Sequence, residues 1–129
     1  MAKIVILDGS REARILAEKS LSLEGHAIRT TSDVAEAIDL AYMFEPDLLI
    51  ADWDIQSDYD GIEIAEAFQA AKAGIKTIVM SKHQSIQKKF SLNAQGPDES
   101  ELGLVGSLAK PFSSCSLILA VKNALASSE

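Results

Sequence analysis

The sequence predicts an α/β domain built on a doubly wound, five-stranded parallel sheet, and three observations carry that prediction. Short apolar segments alternate with longer amphipathic ones along the chain. Three of the short segments are apolar almost without a break, as strands covered on both faces are. The polar residues most suited to chemistry fall immediately after strands, where open α/β sheets gather their functional groups.

The elements follow in order. The first strand is Lys3–Leu7, "KIVIL", and the segment "SREARILAEKSLSLEG" behind it sets Ala13, Leu16, Ala17, Ser20 and Leu21 along one helical stripe, with Gly25 as a stop. A weaker strand is expected at 27–30. Next, "SDVAEAIDLAYMF" opens on a Ser/Asp cap and repeats apolar residues at Val34, Ala37, Ile38 and Ala41. It ends before Glu45-Pro46, because proline disfavours helix in the residue ahead of it. Strands at 47–51 and 76–80 bracket a helix over "GIEIAEAFQAAKAG". A fifth strand at 104–108, interrupted by Gly106, precedes "SSCSLILAVKNALA", a helix capped by Ser113. The order βαβαβαβαβα implies parallel strands, right-handed crossovers and helices on both faces. The stretch 93–103, "NAQGPDESELG", reads as an exposed acidic loop of more than average length.

The chain's 129 residues suit one domain, taken as 1–126 with 127–129 as a tail. Hydrophobic residues at 47% are enough for a core. A net charge of −7 and a pI near 4.8 argue against nonspecific nucleic-acid or anionic-membrane binding, which rely on basic patches. No apolar run approaches the roughly 20 residues that span a bilayer. The opening "MAKIVILDGS" reads as a strand and not as a signal peptide. Cys115 is the single cysteine and is expected to be a buried structural thiol. A cytoplasmic location is the default.

Asp8 follows the first strand, "ADWD" with Asp52 and Asp54 the third, Ser81 the fourth, and Lys110-Pro111-Phe112 the fifth. Taken singly, each has a bland reading: an Asp as turn former, a loop hydroxyl, a solvated lysine. Taken together they converge on one rim and suit phosphate chemistry. A carboxylate can attack phosphorus, and neighbouring acids can hold Mg²⁺. A lysine and a hydroxyl can contact phosphoryl oxygens.

From Lys3 to Ala126 the chain resembles a response-regulator receiver domain. Asp8, "LLIADWD" around Asp52, the "DG" of Asp60-Gly61, Ser81 and "AKPF" at 109–112 stand in that family's order and close to its spacing. Arg14, Ala37 and Pro46-Asp47 fit as well. The resemblance implies a flavodoxin-like (βα)₅ domain in two-component phosphorelay signalling, similar to the chemotaxis regulators. By it Asp52 takes a phosphoryl group from a histidine kinase or phosphotransfer protein. Asp8, Asp52 and the backbone carbonyl of Asp54 bind Mg²⁺, with the Asp54 side chain as a further candidate. Ser81 is the switch hydroxyl and Lys110 contacts the phosphoryl group.

Several positions depart from the family's pattern. Gly9 stands where a second acid, a direct metal ligand, is usual, so weak or absent Mg²⁺ binding is expected, with Asp54 and Ser10 as candidates to compensate. Lys82 replaces a small residue, and either shields the site, partly neutralises it in place of metal, or points to water. His83 reads as a loop histidine. Gln56 replaces a frequent proline in a loop one residue longer than usual. Ser107 lies near the place of the usual aromatic switch residue.

Three readings follow. The first is a phosphorylated receiver that switches its affinity for a downstream protein. It would not be an enzyme beyond self-phosphotransfer and autodephosphorylation. The second is a phosphorylation-independent binding module with a degenerate metal site at Gly9 and Lys82. The third is a small phosphohydrolase forming an aspartyl phosphate, to which the mid-chain position of Asp52 is poorly suited. With no output domain before Glu129, signalling is expected through protein contact unless the sequence is a piece of a longer protein.

Overall fold

The computed structural model describes residues 1–55, 61–82 and 103–126. Within them run β1 (Lys3–Leu7), α1 (Arg11–Leu23), β2 (Ala27–Thr31), α2 (Val34–Met43), β3 (Leu48–Asp52), α3 (Gly61–Ala71), β4 (Lys76–Ser81), β5 (Leu104–Ala109) and α4 (Ser114–Ala126). The strands form one parallel sheet in the order β2-β1-β3-β4-β5. The strand order reverses between β1 and β3, and in doubly wound sheets that switch point opens a crevice at the carboxyl ends of the strands.

Burial explains which strands were easy to read. All five residues of β3 are buried, as are four of the five in β1. The outer strands β2 and β5 are only partly buried, so their apolar patterns are diluted. Observed strand ends run one residue beyond the expected ones at Thr31, Asp52, Ser81 and Ala109. The crossover between β4 and β5, with the acidic stretch up to residue 102, lies outside the described residues, as does the 127–129 tail.

Each face of the sheet carries a core. Ile4, Ile6, Ile50, Ile78 and Met80 pack against Ala17 and Leu21 of α1 and Leu117 and Val121 of α4. On the other face Val5, Leu7, Leu49 and Ala51 pack against Val34, Ala37 and Ala41 of α2 and Ile64 and Phe68 of α3. The helix starts follow the expected chemistry. Ser10, Asp33 and Ser113 each accept a backbone N–H from three residues ahead, at 3.2, 3.3 and 3.1 Å. Such a cap is worth about 1 kcal/mol.

One expectation is corrected. Cys115 is exposed. The buried stripe of α4 is Leu117, Val121 and Ala124. Cys115 stands two residues before Leu117, about 200° around the helix, and therefore faces outward.

Candidate functional site

Four strands deliver one polar group each to the same edge of the sheet. Asp8 follows β1, Asp52 closes β3, Ser81 closes β4, and Lys110 follows β5. The register holds them level: Leu7 lies opposite Ala51, Asp52 opposite Met80, and Ser81 opposite Ala109. Main-chain bonds carry the pairing past the strand ends. The Asp8 N–H donates to Thr31 O at 3.0 Å, Trp53 N–H to Met80 O at 2.8 Å, and Lys110 N–H to Ser81 O at 3.0 Å.

Lys110 unites the acids. Its Nζ donates to Asp8 Oδ1 and Oδ2 at 3.0 and 2.9 Å and to Asp52 Oδ2 at 3.4 Å. The remaining contacts are backbone amides: Ser10 N–H to Asp8 Oδ1 at 2.8 Å and Asp54 N–H to Asp52 Oδ1 at 2.9 Å. Asp8 is fully buried, while Asp52 and Ser81 keep 6% and 5% of their surface exposed. A buried carboxylate persists only when its oxygens are matched in this way.

The titration of the pair reflects the same balance. Burial pushes the Asp52 carboxyl above its ordinary pKa. The Asp54 amide opposes that rise, the Asp8 charge adds to it, and Lys110 offsets part. For Lys110, burial pulls the ammonium down, but the bond to Asp8 and the charges of Asp52 and Asp8 outweigh it. The ammonium is therefore held above its ordinary value. Burial thus makes the Asp52 carboxylate more basic than an exposed aspartate, and the Lys110 ammonium beside it is placed to meet negative charge arriving at the site.

Asp54 does something the sequence did not indicate. Its carboxylate accepts the Ser81 hydroxyl, at 3.1 Å to Oδ1 and 3.3 Å to Oδ2, and the Lys82 N–H at 2.8 Å. Ser10 is likewise occupied, its Oγ capping α1. Lys82 is exposed, in keeping with the reading that points it to water. Arg14 was noted only as fitting a pattern, yet its guanidinium donates to the Asp8 carbonyl at 2.8 Å. Arg14 lies one turn into the helix behind an acidic strand end, but Arg11 opens the same helix and spacing alone does not choose between them. Ser107 sits exposed on β5. Gln56, Asp60 and His83 lie outside the described residues.

Among the described residues no three His, Cys, Asp or Glu side chains group to hold a metal ion. Asp8 and Asp52 nevertheless supply hard, anionic oxygens side by side. That donor set fits Mg²⁺ bound by one or two carboxylates with water and phosphoryl oxygens, and does not fit an all-protein cage. Gly9 adds no side-chain oxygen. A cavity of about 490 Å³ lies at the opposite edge of the sheet, lined in part by His26, Asp47 and Lys76. All three bond within the chain, to Ala2 N, Lys3 N and Ala124 O.

Comparison with known proteins agrees with this architecture. The family model of the response regulator receiver domain matches residues 4–122. Sporulation initiation phosphotransferase F of Bacillus subtilis is 28% identical over 110 residues, which cover 85% of this chain and 82% of that protein. The receiver domain of NtrX from Brucella abortus superposes with a TM-score of 0.80 at 27% identity, covering 97% of this chain and 99% of that one. Against a longer NtrX structure the TM-score is 0.83 at 27% identity over 98% of this chain, which there spans only 27% of the other. Chemotaxis response regulator CheY4 of Vibrio cholerae matches with a TM-score of 0.80 at 25% identity, over 96% and 98% of the two chains.

Proposed function

The chain belongs to the response regulator receiver domain family of two-component signalling, whose members are phospho-acceptors, and on that premise we propose that Asp52 is its phosphoryl acceptor. The observation that carries this reading is the single ammonium of Lys110 shared between Asp8 and Asp52 at the sheet's switch point.

Receiver domains interact with histidine kinases or phosphotransfer proteins, and we assign this chain a phosphohistidine donor and a protein as its downstream partner. A carboxylate oxygen of Asp52 attacks the donor phosphorus in line. The P–N bond breaks as the P–O bond forms, and the electron pair leaves with the imidazole. Lys110 stays on Asp8 through both oxygens and turns its weaker contact from Asp52 to a phosphoryl oxygen. Ser81, at the next strand end, rotates its hydroxyl to donate to another. Arg14 and the Ser10 amide hold Asp8 in place throughout.

Receiver domains generally bind Mg²⁺ at the phosphorylation site. Here Asp8, Asp52 and the main-chain carbonyl of Asp54 would hold it, and when bound it neutralises charge on the phosphoryl oxygens. The receiver unit is taken as residues 1–126. No described helix is long and apolar enough to cross a membrane. The proposed kinase donor goes with a cytoplasmic reaction. Turnover of free phosphoesters is not expected.

Incubation with acetyl phosphate and Mg²⁺, read by intact-protein mass, tests the assignment. Wild type should gain one phosphoryl group that hydroxylamine removes, and Asp52→Asn should gain none. Equal labelling of the variant would move the acceptor elsewhere.

A further inference from the structure

We propose that Asp54 is a positioning residue whose carboxylate clasps the Ser81 hydroxyl and the Lys82 amide in the resting protein, and so opposes the phosphorylated arrangement. The inference rests on Asp52 being the acceptor and adds a restraint on the hydroxyl that must answer it.

The geometry makes the two states exclusive. A serine hydroxyl has one proton to donate. In the resting protein that proton lies between the two oxygens of Asp54, at 3.1 and 3.3 Å. It cannot serve a phosphoryl oxygen on Asp52 at the same time. The Lys82 N–H, held on Oδ2 at 2.8 Å, ties the main chain leaving β4 to the same carboxylate. Asp54 touches the acceptor too, through its own N–H on Asp52 Oδ1 at 2.9 Å. One residue therefore contacts the acceptor through its backbone and the switch hydroxyl through its side chain.

Charge strengthens the clasp. Bonds to an ionised carboxylate are stronger than neutral ones, and this one accepts two donors from consecutive residues. Modification of Asp52 places further negative charge two residues away and gives Ser81 a competing anionic acceptor. The clasp then costs part of the free energy of switching. A neutral or truncated residue at 54 lowers that cost. Were the Asp54 side chain a metal ligand instead, truncation would weaken the modified state, so the two roles predict opposite signs.

Two measurements test this. Amide exchange by NMR reads the resting clasp without any phosphoryl chemistry. The Lys82 amide should be protected in wild type, about fivefold less in Asp54→Ala, and intermediate in Asp54→Asn, whose amide oxygen still accepts one bond. An equally unprotected Lys82 in all three proteins overturns the proposal. The second measurement titrates beryllofluoride at fixed Mg²⁺ and reads Trp53 fluorescence. Asp54→Ala should lower the half-saturating concentration about fivefold, and the gain should vanish in the Ser81→Ala background. The same gain without Ser81, or weaker binding on truncation, overturns the clasp and leaves the acceptor assignment standing. Absence of any saturable response in wild type and in every variant defeats the acceptor reading, and the clasp falls with it.

Discussion

Lys110 grips Asp8 with both carboxylate oxygens, at 3.0 and 2.9 Å, and reaches Asp52 with only one, at 3.4 Å. The two residues are 102 positions apart in the chain and meet because β1 and β5 deliver their ends to one sheet edge. On the proposed reading Asp8 is the fixed partner and Asp52 the released one, as an acceptor must be if its charge is to change. Asp8 is locked further by the Ser10 amide and the Arg14 guanidinium on its carbonyl. The lysine can follow a phosphoryl group without leaving a buried acid unpaired.

Replacing Lys110 by methionine should expose that dependence. Two buried carboxylates would lose their shared cation, and breaking such a pair costs about 3 kcal/mol or more. The loss should be largest near neutral pH and shrink in acid as carboxylates take up protons. On the alkaline side the sign follows from the raised pKa of Lys110. Its stabilisation is complete below the ordinary lysine range and fades as pH climbs through the folded-state value. Urea denaturation from pH 4 to pH 11 should show the alkaline limb in wild type only, while the variant regains stability toward acid as its unpaired carboxylates take up protons; parallel curves would refute the role given to Lys110.

Asp52→Asn should raise the melting temperature at pH 7 while ending phosphorylation. Burial raises the Asp52 pKa, so the folded chain binds this proton more tightly than the unfolded one. Stability from the group is therefore fully present below the unfolded carboxyl range and lost as pH rises through the folded value. At pH 7 wild type bears the cost of a buried charge that asparagine lacks. The gap between the two proteins should close toward pH 3, and a variant less stable than wild type at pH 7 would contradict this account.

How much of this was legible follows from where the residues sit. The central strands announce themselves because both faces are covered, so Val5, Ile50 and Val79 leave unbroken apolar runs. Edge strand β2 carries exposed Arg29, and β5 carries exposed Val105 and Ser107, so neither has a clean pattern. Asp8, Asp52, Ser81 and Lys110 could be found because each immediately ends or follows a strand. The clasp by Asp54 could not, since a carboxylate beside a strand end can turn toward either of two neighbours and spacing does not choose. Cys115 sits in the apolar run "SSCSLILAV", which suggests burial, but its position is off the buried stripe of Leu117, Val121 and Ala124.

Gly61→Ala should disturb the site from outside it. A Cβ on Gly61 would collide with the Trp53 indole, which lies against this first residue of α3. Either the ring or the start of α3 has to move. Overpacking of this kind costs about 1–3 kcal/mol, and the indole next to Asp52 should change its emission maximum. An unshifted spectrum with an unchanged unfolding midpoint would mean the ring has room the geometry denies.

Gly9→Asp tests what the missing acid does, and the local structure makes it a clean experiment. A Cβ on Gly9 would meet only Ile55 Cγ1, at 3.9 Å, and the backbone there does not require glycine. The variant should therefore fold as wild type does. A third carboxylate beside Asp8 and Asp52 strengthens a site that prefers charged oxygens. Mg²⁺ titrated against Trp53 fluorescence should half-saturate at a concentration about tenfold lower than in wild type. The added acid also competes for Lys110, so phosphorylation should become more dependent on Mg²⁺, not less. If the titration curves of the two proteins coincide, the glycine is not what limits the metal.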